Sequence, residues 1–269
     1  MKTTLLTTVA IIAMTAATSV VAEGLAIPAS PVLSGEVSLD FAETKNNNYG
    51  GTMGLDLGVN VDGLATVDLD MSATDGTSLT LDNWTVGTTV GALAVAFGDD
   101  NNLMPESGAN AATQGTLATP AMTESLQVTT GSVSVALGFT DWTADVTDIS
   151  NVQGAYTMGV AGLDVTASAD YNLDSENTVF GGEVSGVDLG MVALGGAVSY
   201  DMDAEVFGFE SNATAGSLTA YLNGDDTNTL QNIGGEYAVG LGASTLTSGI
   251  NYDVDAEDIT PTVSLSFNF

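Results

Sequence analysis

Ile259-Thr260-Pro261-Thr262-Val263-Ser264-Leu265-Ser266-Phe267-Asn268-Phe269 is the stretch whose reading decides the fold. From Val263 onward, Val263, Leu265, Phe267 and Phe269 alternate with Ser264, Ser266 and Asn268, the pattern of a strand with one apolar and one polar face. Runs of the same kind fill the chain before it, each ended by Gly or by a cluster of Asp and Asn. In 50–61, Met53, Leu55, Leu57, Val59 and Val61 share one face while Thr52, Gly54, Asp56, Gly58 and Asn60 share the other. Asp62-Gly63 follows as a tight hairpin turn. No long stretch shows helical periodicity.

The runs are 35–42, 50–61, 64–73, 78–90, 92–98, 124–130, 132–142, 151–160, 163–172, 177–187, 191–200, 205–213, 217–223, 229–239, 244–254 and 259–269. Phase slips near Asn83-Trp84, which reads as a bulge. The connections alternate in character. One set is short and Gly-centred: Asp62-Gly63, Gly91, Gly131, Ala161-Gly162, Asp188-Leu189-Gly190, Ala215-Gly216 and Gly240-Leu241-Gly242. The other set is longer and rich in Asp, Asn and Glu, at 43–49, 74–77, 99–123, 143–150, 173–176, 201–204, 224–228 and 255–258. Strict alternation of the two sets implies an all-β antiparallel fold with two unlike rims.

Charge narrows the function classes. There are 34 acidic residues against Lys2 and Lys45, and the formal net charge is −32. Nucleic acid and anionic lipid held through a basic patch are therefore excluded as partners. With 44% hydrophobic residues the chain is not an acidic disordered tail. Without Cys there is no disulfide or thiol chemistry, and without His the usual general base and commonest transition-metal ligand are missing. Carboxylate pairs could be drawn almost anywhere among the acids, so no pair marks a catalytic site, and the expectation is a protein that is not an enzyme. Lys2, the apolar run 5–14 and Val20-Val21-Ala22 before Glu23 read as a cleavable export signal at 1–22, leaving 23–269 as one β domain.

The closing strand, ending in Phe269, resembles the last strand of Gram-negative outer-membrane barrels. The architecture as a whole resembles the sixteen-stranded general porin family, in particular alphaproteobacterial porins of the Rhodobacter type. That resemblance implies a transmembrane antiparallel β-barrel of about sixteen strands with short periplasmic turns and longer extracellular loops. It further implies an outer-membrane location, contact with lipid and lipopolysaccharide, a homotrimer, and a terminal strand read by the barrel-assembly machinery through Phe267 and Phe269. The loop 99–123, which carries Pro105, Gly108, Gly115 and Pro120, stands where the family's third loop folds into the pore. Asp99, Asp100 and Glu106 are its candidate constriction acids. In lipid no backbone group can be left unpaired, so the sheet must close. At about sixteen strands the interior is a water-filled channel. The family sets basic residues opposite the third-loop acids; this chain has no Arg to place there, so those constriction residues are not carried over.

Alternation assigns Asp40, Asp56, Asp68, Asp70, Asp164, Asp170, Glu183, Glu210, Glu236 and Asp253 to the polar face, hence to the channel wall. With almost no cation to offset them, the expected function is passive diffusion of small hydrophilic solutes with a preference for cations. No cofactor is required. Calcium is a candidate ligand of the acidic rim, with Asp201, Asp203 and Glu205 as a weakly specified metal set and divalent ions bridging rim carboxylates to lipopolysaccharide phosphates. Asp170-Tyr171-Asn172-Leu173-Asp174 resembles the start of a calcium loop, but Ser175 stands where such loops need Gly. Trp142, Tyr156, Tyr200 and Tyr252 are candidates for interfacial aromatic girdles. The competing reading is a secreted, acidic all-β surface protein that binds calcium and stays out of membranes; a carboxylate-based secreted hydrolase is a third, weaker one.

Overall fold

The computed structural model describes residues 32–44, 48–61, 65–74, 78–99, 101–105, 117, 118, 120, 122, 124–140, 148–226 and 230–269. The export signal at 1–22, Lys45, Asp100, Glu106 and Trp142 lie outside the described residues. The strands are β1 (Val32–Thr44), β2 (Asn48–Val61), β3 (Ala65–Thr74), β4 (Thr80–Val90), β5 (Leu93–Gly98), β6 (Glu124–Thr130), β7 (Val133–Phe139) and β8 (Ile149–Val160). They continue with β9 (Leu163–Asn172), β10 (Thr178–Asp188), β11 (Ala193–Asp201), β12 (Val206–Ala215), β13 (Leu218–Asp225), β14 (Asn232–Gly240), β15 (Ser244–Asp253) and β16 (Asp258–Asn268). Each pairs antiparallel with its neighbours in sequence, and β16 returns to β1 to give a closed barrel of sixteen strands.

Alternation fixes which way each strand faces. On β8 to β12, Val152, Tyr171, Phe180, Val198 and Phe207 are exposed while the residues between them, Gln153, Asp170, Val179 and Ser199, are buried. The outer face is therefore apolar and open, with Ile250 at 52% exposure and Phe180 at 48%, and the buried face is largely polar. This is the inverse of a water-soluble protein, where the largest contiguous exposed apolar patch is a few hundred Å².

Among the described residues, the short connections Gly91, Gly131, Ala161-Gly162, Asp188-Leu189-Gly190, Ala215-Gly216 and Gly240-Leu241-Gly242 fall on one rim, and 173–176, 201–204 and 255–258 fall on the other. Gly91, Gly131, Gly162, Gly216 and Gly242 supply the positive φ that tight turns on the first rim require. The seam closes on the same rim. Val37 pairs with Phe267 and Glu36 with Asn268, and Gly35 and Phe269 exchange both backbone hydrogen bonds, at 3.2 and 3.0 Å. A Cβ at Gly35 would lie 2.7 Å from Cζ of Phe269, so only glycine lets that ring lie across the seam.

The phase slip expected at Asn83-Trp84 falls one residue earlier. Asp70 pairs with Asn83 and Met71 with Leu81, which leaves Asp82 as the extra residue of a bulge. The seventh run ends sooner than its alternation suggested, at Phe139, and β8 starts at Ile149, with Ser150 as a second irregularity against Gly138.

Candidate functional site: the barrel interior and its loop

The interior is organised by the segment that leaves β5. Asn101 donates through Nδ2 to the carbonyls of Gly98 and Ser125, both at 3.3 Å, which fastens the chain where it leaves β5. The Leu103 N–H donates to Oε1 of Gln153 on β8 at 2.8 Å. Pro105 reaches β10, where its ring fills the space a Cβ would need at Gly181. On the returning limb the Ala118 N–H donates to Oγ of Ser199 on β11 at 2.6 Å, and Met122 Cε lies 3.1 Å from the place of a Cβ at Gly138 on β7. The described loop residues thus lie along the inner wall from β6 to β11. This accounts for the burial of polar groups that would otherwise face water: Ser125 and Gln153 at 0% exposure and Ser199 at 1%.

All ten carboxylates expected on the polar face share the inner face by register. They are unevenly spread. Asp56 pairs directly with Asp70, and Glu36, which the sequence reading passed over, pairs with Asp56. Glu36 has the same parity as Ser38 and Asp40, so its alternation was there to be read. Like charges directly opposite on a sheet are destabilising, so this row on β1 to β3 lowers stability and calls for a role other than packing. Asp40 accepts a hydrogen bond from Ser38 Oγ at 3.2 Å. Asp170, at 1% exposure, is held by Nδ2 of Asn151 at 3.1 and 3.0 Å to its two oxygens. By contrast β5 to β8 present no inward carboxylate; their inner faces are Ala, Gly, Ser, Thr, Asn and Gln. No basic side chain lies among the described residues.

Two expected site groups are placed elsewhere. Asp99 is not on the loop's inward course: its N–H bonds to the carbonyl of Trp84, and its Oδ1 accepts the Trp84 N–H, so it extends the β4–β5 ladder beside the middle of β4. Asp201, Asp203 and Glu205 do not converge, and among the described residues no group of three or more acids is arranged to hold a metal ion. Asp201 Oδ1 instead accepts the N–H groups of Asp203 and Ala204, both at 3.0 Å, and Nδ2 of Asn177 at 3.0 Å. The same turn occurs at Asn172, whose Oδ1 takes the N–H groups of Asp174 and Ser175 at 3.0 and 2.9 Å, and at Asp253, which takes that of Ala256 at 2.8 Å. Each turn then places a Glu at positive φ: Glu176 at 59°, Glu205 at 54° and Glu257 at 51°. The spacing of two between acids is turn chemistry. The residue before each capping side chain, Tyr171, Tyr200 or Tyr252, is exposed on the outer face, which forms a partial aromatic ring at this rim.

A closed sixteen-strand barrel, apolar outside and polar within, with the loop after its fifth strand laid on the inner wall, is the porin architecture. The chain has the fold of the sixteen-strand porins of the Rhodobacter type. It is similar to a triple mutant of Rhodopseudomonas blastica porin, with 14% identity, a TM-score of 0.62, and 89% of this chain and 100% of that one covered. It is also similar to a loop-deletion mutant of OmpT, an outer membrane protein of Vibrio cholerae, with 11% identity, a TM-score of 0.54, and 89% and 99% covered. At these identities the likeness is one of fold. No protein-family model matches the sequence, and no curated protein does.

Proposed function

We propose that the protein is an outer-membrane channel, rather than an enzyme, that passes small hydrophilic solutes by passive diffusion and favours cations. The observation that carries this reading is the pairing of an apolar outer face with an inner face that bears many carboxylates and, among the described residues, no cation. A wall of one sign raises the local concentration of counter-ions and repels co-ions. The inward course of the described residues after β5 supports a constriction of the channel, formed with wall residues because Asp99 is taken up by the β4 backbone. Export through residues 1–22, periplasmic placement of the short turns, a homotrimer and recognition of the terminal strand by the assembly machinery complete the reading. So does bridging of the acidic loops to lipopolysaccharide phosphates by divalent ions such as calcium. A secreted, membrane-free protein would leave Phe180, Ile250 and their neighbours in water, which disfavours that alternative. The test is the reversal potential of the purified protein in planar bilayers under a KCl gradient. Cation preference is expected; anion preference, or absence of channels, refutes the proposal.

A further inference from the structure

Directly beyond the loop's fastening on Ser199 and Gly181, the inner wall of β10, β11 and β12 holds a niche of about 530 Å³. Gly195 and Ala197 form its floor, and Met104 of the loop, 3% exposed, is its apolar roof. Asn212 lies over Gly195, where a Cβ would come within 3.0 Å of its Oδ1, so glycine keeps the amide flat against the wall. Glu183 and Glu210 stand at the two ends. Ala197 pairs with Glu183 on one side and with Glu210 on the other. The two glutamates are therefore two strand spacings apart, about 9.6 Å between backbones. Beside Glu183 a bulge at Ser185 and Gly186, with Gly186 at φ 76°, breaks the β10–β11 register and bends the wall.

A hydrated metal ion would gain from the carboxylates and nothing from the alanine and methionine between them. A short aliphatic chain with an ammonium group at each end meets both: charge at the two ends, apolar surface along the middle. We infer that this niche is a binding station for short aliphatic diammonium ions on their way through the channel. The inference rests on the cation-favouring channel reading and adds a solute class to it.

The test uses the full-length protein in planar bilayers carrying potassium current, with diaminobutane, butylammonium and magnesium added separately. Diaminobutane should block at about tenfold lower concentration than magnesium, the scale of burying two methylene groups, and also below butylammonium. Glu183→Gln and Glu210→Gln should each weaken the diamine block about fivefold, the upper range for one exposed ion pair. Asp56→Asn, on the β2 wall outside the niche, should lower cation preference yet leave the diamine block in place. Should either glutamate variant fail to assemble, Met104→Gln removes the apolar roof and should weaken the amines without affecting magnesium. Equal block by diamine and magnesium, or equal weakening by Asp56→Asn and Glu183→Gln, overturns the niche while leaving a cation-preferring channel intact. Anion preference or no current would overturn the channel reading and the niche with it.

Discussion

Cutting two polar ties of the loop after β5, those to Gln153 and Ser199, should loosen it without unfolding the barrel. Gln153→Leu removes the acceptor for the Leu103 N–H, and Ser199→Ala removes the acceptor for the Ala118 N–H. Each tie is a part-buried bond to a backbone donor, worth about 1 kcal/mol net once water can take over in the detached state. The ties sit on opposite limbs of the loop and share no partner, so their effects should add, to about 2 kcal/mol. A shift of that size raises the detached population about 30-fold. In single-channel recordings the double variant should show frequent excursions to a larger conductance, each single variant fewer, and the folded-barrel band on a denaturing gel should persist. Recordings indistinguishable from the parent protein would refute the account of these bonds as the fastening. So would a single variant as disturbed as the double.

The other expectations concern the rim, the seam and the wall. Asp201→Ala removes three accepted hydrogen bonds at an exposed turn and should cost about 1–2 kcal/mol. It should lower the urea concentration at which the folded band disappears and leave conductance unchanged; a loss of calcium-dependent stability instead would refute the turn-capping account. Phe269→Ala keeps the backbone pairing with Gly35 but removes the ring across the seam. It should reduce the yield of assembled barrel while the assembled fraction conducts normally, and altered conductance would count against a purely structural seam role. Asp56→Asn with Asp70→Asn should reduce cation preference at low salt and have little effect at 1 M, where screening shortens to about 3 Å. A preference independent of both salt and these residues would place selectivity elsewhere.

The strands were legible because period-2 alternation separates two environments that differ along the whole chain, lipid-type surface outside and polar surface within. The sorted connections were legible for a related reason: the tight turns of one rim place glycine at positive φ, while those of the other are capped by Asn and Asp side chains. The loop's fastening was not legible. Gln153 and Ser199 look like any other polar-face residue, and their partners lie 50 and 81 residues away in sequence. The turn-capping role of Asp201 has a signal in the sequence. Tyr171-Asn172-Leu173-Asp174-Ser175-Glu176, Tyr200-Asp201-Met202-Asp203-Ala204-Glu205 and Tyr252-Asp253-Val254-Asp255-Ala256-Glu257 are three copies of one pattern, each at the end of a strand. A motif repeated at three connections of one rim, each capping its own turn, is a turn solution.

The distribution of charge around the wall follows from where the loop rests. A carboxylate beneath the loop would be stripped of water, and an ionised group buried without a compensating partner is costly. The loop's bed is accordingly neutral: Ser125, Ala136 and Gln153 at 0% exposure, with Gly138, Gly181 and Ser199 completing it. Asp170 is the exception, and it is the acid that Asn151 holds through both oxygens. The carboxylates crowd instead onto β1 to β3, where interior water can screen their repulsion. The absence of inward acids from β5 to β8, in a chain with 34 acidic residues, thus fits the loop's passage over β6 to β8. Alternation identifies the wall, and the gap in its charge coincides with the first part of the loop's course, over β6 to β8.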